Sequence, residues 1–400
     1  MAPRPQHDFF AAERKIADSC IITNLMVLFP QGYYMKKLFL FGLGVLTVAA
    51  LTLSGCPEAI DTSKLSGTVT VYIAGFFGPS GSREACYWKS TERVSLSGPP
   101  GTRSQAMAIT AAGDTVYTAG YYEEDFYDDV LGYSYPIRHA CYWINQNRVE
   151  LSELGEGSEA LAITVQNGIV YTAGYYDLGG YQRACYWIDQ NRTDLPDLEV
   201  GSWARAITVV DSDSTVYTAG YYNDAEGYMI ACYWTGQNRT DLSDSEEDSE
   251  AMVITVQNST VYTAGNYYDE DSSNWIPCYW IGTGFNPLSF TGSNYFVNSI
   301  TALNGTVYIA GRVTVADSTR ACYWTSTVQE PTQLPFPGGA QSSNAGASTV
   351  LNGSVYFGGS FRDDFNRRHA CYWNDGKSHD LGVIGLSTNI GISSSFIGIR

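Results

Sequence analysis

"RACYWIDQNRTDL", residues 183–195, sets a cysteine between an alanine and two aromatics, then adds a polar turn and a leucine. The triplet Cys-Tyr-Trp occurs seven times, beginning at Cys86, Cys141, Cys185, Cys232, Cys278, Cys322 and Cys371. A second block, Val-Tyr-[Thr/Ile/Phe]-[Ala/Gly]-Gly, begins at Val71, Val116, Val170, Val216, Val261, Val307 and Val355, and the two alternate strictly. The period is mostly 44–49 residues. A leucine follows each Trp eight residues later (Leu96, Leu151, Leu195, Leu242, Leu288, Leu381), or ten in the sixth copy (Leu334).

Each unit reads as four short strands. In the third, strand a is "EALAITV" (159–165), b "IVYTAGYY" (169–176), c "RACYWID" (183–189) and d "RTDL" (192–195). Tight polar turns join a to b (Gln166-Asn167-Gly168, Leu303-Asn304-Gly305) and c to d (Asp189-Gln190-Asn191, Asn374-Asp375-Gly376). Asn-Gly is a strong hairpin signal because both residues accept positive φ. Seven such units at this period predict an all-β chain: a seven-bladed β-propeller of four-stranded antiparallel blades. The first unit begins at strand b, while "SSSFIGIR" (393–400) ends the chain as an unpartnered strand a. The C-terminal strand is therefore expected to close the first blade and remove an exposed edge.

Composition agrees. The 400 residues are 44% hydrophobic and 14% aromatic, with 30 Tyr and 40 Gly, a bias toward strands and turns. No stretch after residue 60 sustains a helical apolar period.

The N-terminus reads differently. Met35-Lys36-Lys37 is a short basic start, "LFLFGLGVLTVAALTL" (38–53) is apolar, and "LSGC" ends at Cys56. This is the layout of a secretory signal, and its end resembles the lipobox of bacterial lipoproteins. The resemblance implies acylation of Cys56, a lipid anchor in the membrane, and location in the bacterial cell envelope. The expected organisation is an upstream extension of doubtful standing (1–34), a signal peptide (35–55), a lipidated tether (56–65) and the propeller (66–400). Beyond residue 55 the chain carries 18 basic and 38 acidic residues, a net charge near −20. Such a surface repels nucleic acid. It suits cations, basic proteins or neutral sugars, and the chain is expected to be a monomer.

The units also resemble the HAF-type extracellular repeat in "HACYWNDGKSHDLG" (369–382), and kelch-type propellers in Tyr356-Phe357-Gly358-Gly359. They depart from the HAF pattern where Cys-Tyr replaces Phe-Leu. Neither resemblance implies a defined activity.

The repeated cysteines read as scaffold. Equivalent positions in adjacent blades lie about 10 Å or more apart, whereas a disulfide needs Cα atoms within about 7 Å. A zinc site would need convergent ligands. Cys and Trp share one face of strand c, so all seven cysteines, with tryptophans such as Trp143, Trp187 and Trp234, are expected to fill the space between blades. Histidine is scarce (His7, His139, His369, His379), and no nucleophile elbow or phosphate loop is present.

Variation concentrates in the b–c and d–a connections, which emerge together on one face of the disc. They include "YYEEDFYDDVLGYSYP" (121–136), "YYNDAEGY" (221–228), "NYYDEDSSNW" (266–275), "RDDFNRR" (362–368), "LEVGSWA" (198–204) and "SDSEEDSE" (243–250). Variable connections on a rigid scaffold are where binding concentrates. The candidate ligand face is Glu123, Glu124, Asp125, Asp128, Asp129, Trp203, Asp224, Asp269, Asp271 and Trp275. Clustered carboxylates could hold a structural calcium ion, or serve an envelope glycan lyase or hydrolase as acid and base. Exposed aromatics could anchor a protein or glycan partner. The plainer alternatives are a solvated acidic rim and a purely structural envelope protein.

Overall fold

The computed structural model describes residues 69–399 apart from 129–131, 154–155, 197–199, 211, 244–246, 290–292, 352 and 387–389. Gly67–Arg400 forms one compact unit; the leader, Cys56 and the tether lie outside the described residues. Twenty-eight strands, β1–β28 in chain order, build seven four-stranded sheets. In the third blade they are β8 (Ser158–Gln166), β9 (Ile169–Leu178), β10 (Tyr181–Ile188) and β11 (Asn191–Asp194), in consecutive antiparallel order. The expected turns are there: Asn167 and Gly168 take φ +52° and +81° between β8 and β9.

The ring closes as the termini imply. β28 (Ile390–Ile399) pairs with β1 (Val69–Phe77) from Val69↔Ile399 to Phe77↔Ile390, completing the sheet that β2 (Glu84–Lys89) and β3 (Glu92–Ser95) continue. Residues from all seven a strands line one central cavity of about 420 Å³.

Adjacent blades meet through the repeated triplet. Cys185 and Trp187 pack on Ala140, Tyr142 and Leu151 of the preceding blade, and Cys86 and Trp88 pack on Ala370 of the seventh. All seven repeat tryptophans and cysteines are fully buried, Trp143, Trp187 and Trp234 among them. The seven cysteines are free thiols. Burial pushes the Cys86 thiol up to about 12, so it stays protonated and inert at neutral pH. In six blades the indole N–H donates to a backbone carbonyl of the preceding blade, as Trp187 does to Leu151 at 3.1 Å.

A second staple runs the other way. It uses the backbone N–H of the alanine that precedes the cysteine in six of the seven copies. In five blades a serine at the start of the next blade's strand a accepts it: Ser104, Ser158, Ser202, Ser249 and Ser343. The fifth blade has Pro277 there, which carries no N–H, and the next blade holds Tyr295 in place of the serine.

Each strand a skips one residue against strand b, for example between Ala160 and Ala162. This bulge drives a carbonyl against the glycine that ends the Val-Tyr block: a Cβ on Gly174 would lie 1.8 Å from the Glu159 oxygen. Close approach is why that glycine recurs.

One expectation needs correction. Residues 121–128 and 133–136 are strand and not loop. They extend the second blade's hairpin, β5 (Thr115–Asp128) and β6 (Tyr133–Ile144), with paired register from Tyr117↔Ile144 to Asp128↔Tyr133. Tyr and Phe at these positions favour the pleated ladder, so the insertion lengthens two strands.

Candidate functional site

The face bearing the b–c and d–a connections carries the candidate residues. The extended β5–β6 hairpin places four aromatics in solvent: Phe126, Tyr127, Tyr133 and Tyr135 are 36–59% exposed. Phe126 and Tyr135 pair directly across the strands, with ring centroids 5.7 Å apart, and Tyr133 lies 6.2 Å from Tyr135.

The carboxylates at the hairpin's base do not converge on a ligand space. Glu123 is buried in a cage of three arginines. Its Oε1 lies 2.8 Å from Arg83 Nη2 and 3.2 Å from Arg138 Nε, and its Oε2 lies 2.8 Å from Arg103 Nε. Arg138 also donates to Glu159, itself buried, which accepts the Tyr175 hydroxyl. The chain of ion pairs thus ties the first three blades together. Strand alternation sends Glu124 to the opposite face of β5 from Glu123. Glu124 is exposed, 3.7 Å from His139, and Asp125 is exposed, 3.7 Å from Arg103. Asp128 closes β5 opposite Tyr133, and Asp129 lies outside the described residues.

Asp224 is buried and caps its own loop, accepting the N–H groups of Glu226 (3.0 Å) and Tyr228 (2.8 Å). The seventh blade repeats this turn, with Asp363 accepting from Phe365 (3.0 Å) and Arg367 (2.8 Å). Gly227 and Asn366 fill the same left-handed position, φ +96° and +61°. Asp224 is therefore a loop-building residue. Trp203 is half-buried, stacked on Tyr221 at 4.9 Å with Tyr175 edge-on at 6.5 Å. Its ring is packed between these two tyrosines and does not stand free. Asp269 accepts the Ser272 N–H at 3.1 Å, Asp271 is exposed, and Trp275 is exposed beside Tyr268 at 5.9 Å.

Among the described residues no three His, Cys, Asp or Glu side chains form a cation-holding group. The acids the sequence grouped are split between an arginine cage, self-capped turns and open solvent. Sequence reasoning missed the arginines at 83, 103 and 138. Arg83 and Arg103 stand at or beside strand starts, and Arg138 is the cross-strand partner of Glu123. The two repeat-position histidines act locally: His139 stacks on Tyr122 at 5.0 Å and His369 on Phe361 at 4.4 Å. His369 is held between Asp363 (3.2 Å) and Asp380 (3.1 Å).

This geometry defines a closed seven-bladed β-propeller with one shaped, variable face. No protein-family model and no curated protein matches the sequence. Three solved structures are similar in fold. The tricorn protease shows 10% identity and a TM-score of 0.44, the match covering 82% of this chain and 36% of that one. A puromycin-hydrolyzing peptidase of Mycobacterium tuberculosis shows 7% identity and a TM-score of 0.49, over 82% of this chain and 55% of that one. The β-propeller domain of the Trilobed protease from Pyrococcus furiosus shows 9% identity and a TM-score of 0.41, over 78% of this chain and 96% of that one. This chain thus spans 36% and 55% of the first two, and the likeness concerns the fold alone.

Proposed function

We propose that this protein is a lipid-anchored component of a bacterial cell envelope whose propeller is a non-catalytic binding module. The observation that carries the reading is the projecting β5–β6 hairpin with its four exposed aromatics. Exposed Tyr and Phe rings on a rigid two-stranded arm offer large contact area at low entropic cost. A protein or glycan partner engages this arm and the surrounding b–c connections. In this reading the chains are monomeric and tethered through Cys56. The likeness of the units to HAF-type extracellular repeats is in keeping with an exported protein.

The test is capture by the full-length chain from envelope fractions and on a glycan array. Replacing Phe126, Tyr127, Tyr133 and Tyr135 together by Ser should abolish capture and leave the unfolding midpoint nearly unchanged. Capture that survives this replacement would remove the arm from the binding surface. Anchoring is checked separately: metabolic labelling with an alkyne fatty acid should mark the wild type and not Cys56→Ser.

A further inference from the structure

On the same face, between the sixth and seventh blades, lies a second and different feature. A cavity of about 410 Å³ is lined by three arginines, Arg312, Arg362 and Arg368, and, among the described residues, by no carboxylate. Arg362 and Arg368 are direct cross-strand partners, an arrangement that places like charges opposite each other and is destabilising. Arg312 comes from the neighbouring blade and lies over the Phe296 ring at 4.2 Å. None of the three guanidinium groups forms an ion pair or a side-chain hydrogen bond with a described residue, and the Arg368 Nε is buried without a partner. The nearby acids are committed elsewhere: Asp363 to Arg367 and His369, and Asp364 to Gln341. Burial, together with the charges of Arg362 and Arg312, pulls the Arg368 pKa down, and burial does the same to Arg312. Three clustered cations with no counter-charge are costly in a folded protein.

The remaining lining is polar and hydroxyl-rich. Thr314, Thr319, Ser342 and Ser360 face the space, with the half-exposed Phe296 ring at its edge. The cavity is far larger than a bare inorganic anion and falls within the range of small-molecule sites. We propose that it binds an acidic sugar unit, whose carboxylate is held by the arginine trio while its hydroxyls meet the Ser and Thr side chains. Guanidinium forks match a carboxylate in a bidentate manner. The proposal deepens the reading of this face as a binding surface but uses none of the hairpin residues.

The test is calorimetric titration of the full-length chain with galacturonate, galactose, inorganic sulfate and inorganic phosphate. Galacturonate should bind, and galactose, sulfate and phosphate should each bind at least about tenfold more weakly, the effect of losing a charged pair or the hydroxyl contacts. Arg312→Gln and Arg368→Gln should each weaken galacturonate about tenfold or more. Arg362→Gln, at an exposed position, keeps the test open if the two half-buried variants misfold: it should raise the midpoint of the ligand-free protein and remove the gain galacturonate gives. Equal binding of galactose, absence of galacturonate binding, or binding that survives the arginine changes would overturn the site. Sulfate or phosphate binding as tightly as galacturonate would overturn the sugar assignment. The hairpin Ser variant should still bind galacturonate, and the arginine variants should still capture a partner through the hairpin, so failure of one reading is distinguishable from failure of the other.

Discussion

Two regions of the same face each gather three arginines, with opposite outcomes. Around Glu123, the side chains of Arg83, Arg103 and Arg138 close on one buried carboxylate, and Arg138 reaches a second at Glu159. Between the sixth and seventh blades, Arg312, Arg362 and Arg368 line an open cavity with no acid among its described lining residues. The first cluster is complete within the protein and works as a structural tie across blades. The second is incomplete, and its missing partner is what a ligand would supply. In a chain of net charge −18, the buried acids Glu123, Asp224 and Asp363 are internal partners. The informative charges are the few unmatched cations.

The largest expected effect follows from emptying the first cluster. Glu123→Gln leaves three guanidiniums around a neutral amide. Breaking a buried ion pair costs about 3–5 kcal/mol. The arginines here keep 22–44% side-chain exposure, so solvent screening reduces the expected loss to about 2–4 kcal/mol. Urea unfolding measures it. The variant should also acquire a trait of the second cluster, with sulfate raising its midpoint more than that of the wild type. A loss below about 0.5 kcal/mol would show that the arginines are content in solvent, and the contrast would collapse.

The reverse change is smaller. Ser342 is the cross-strand partner of Arg362, so Ser342→Glu supplies the acid that the second cluster lacks. An opposite-charge pair across strands contributes roughly 0.2–1 kcal/mol. The variant should gain about that much in urea unfolding and lose galacturonate binding. Arg362→Gln relieves the like-charge pair with Arg368 and should stabilise the ligand-free protein by only a few tenths, about 0.2–0.5 kcal/mol. A destabilised Arg362→Gln variant would mean that an unseen contact already satisfies the arginine.

The two regions also differ in what the sequence let one read. The scaffold was legible because seven copies average away local noise: Cys185 and Trp187 share a face in every unit, and the orphan terminal strand had one place to go. The serine staple and its lapse at Pro277 were readable in principle, since a residue without an N–H needs no acceptor, but only once strand a was known to abut the preceding strand c. Neither arginine cluster was legible. Arg83, Arg103 and Arg138 converge from two blades, and Arg312 meets Arg362 and Arg368 across 50 residues or more of chain. A count of acidic residues per loop cannot tell a caged carboxylate from a free one. Aligning the copies gives one hint: Arg312 stands where Tyr121, Tyr175 and Tyr221 follow the repeat glycine.

The smallest effect separates the regions by pH. His139, beside the first cluster, is buried, with Glu124 at 3.7 Å from Nε2 and Ser152 at 3.5 Å from Nδ1. Burial lowers its pKa below the ordinary 6.5, against the weaker upward pull of Glu124 and Glu150. The unfolded chain therefore takes up the proton first as pH falls. This group's stability contribution is complete above about 6.5 and declines below it. Thermal midpoints measured from about pH 7.5 down to about 5.5 should fall for the wild type, and fall less for His139→Phe, which keeps the stack on Tyr122 without the titration. An unchanged slope in the variant would take His139 out of the pH response. The second cluster has only arginines, which stay charged throughout this range. Galacturonate, whose carboxylate also stays ionised, should bind there with the same affinity at both ends. The caged half of the face would then be sensitive to mild acid and the unmatched half indifferent to it.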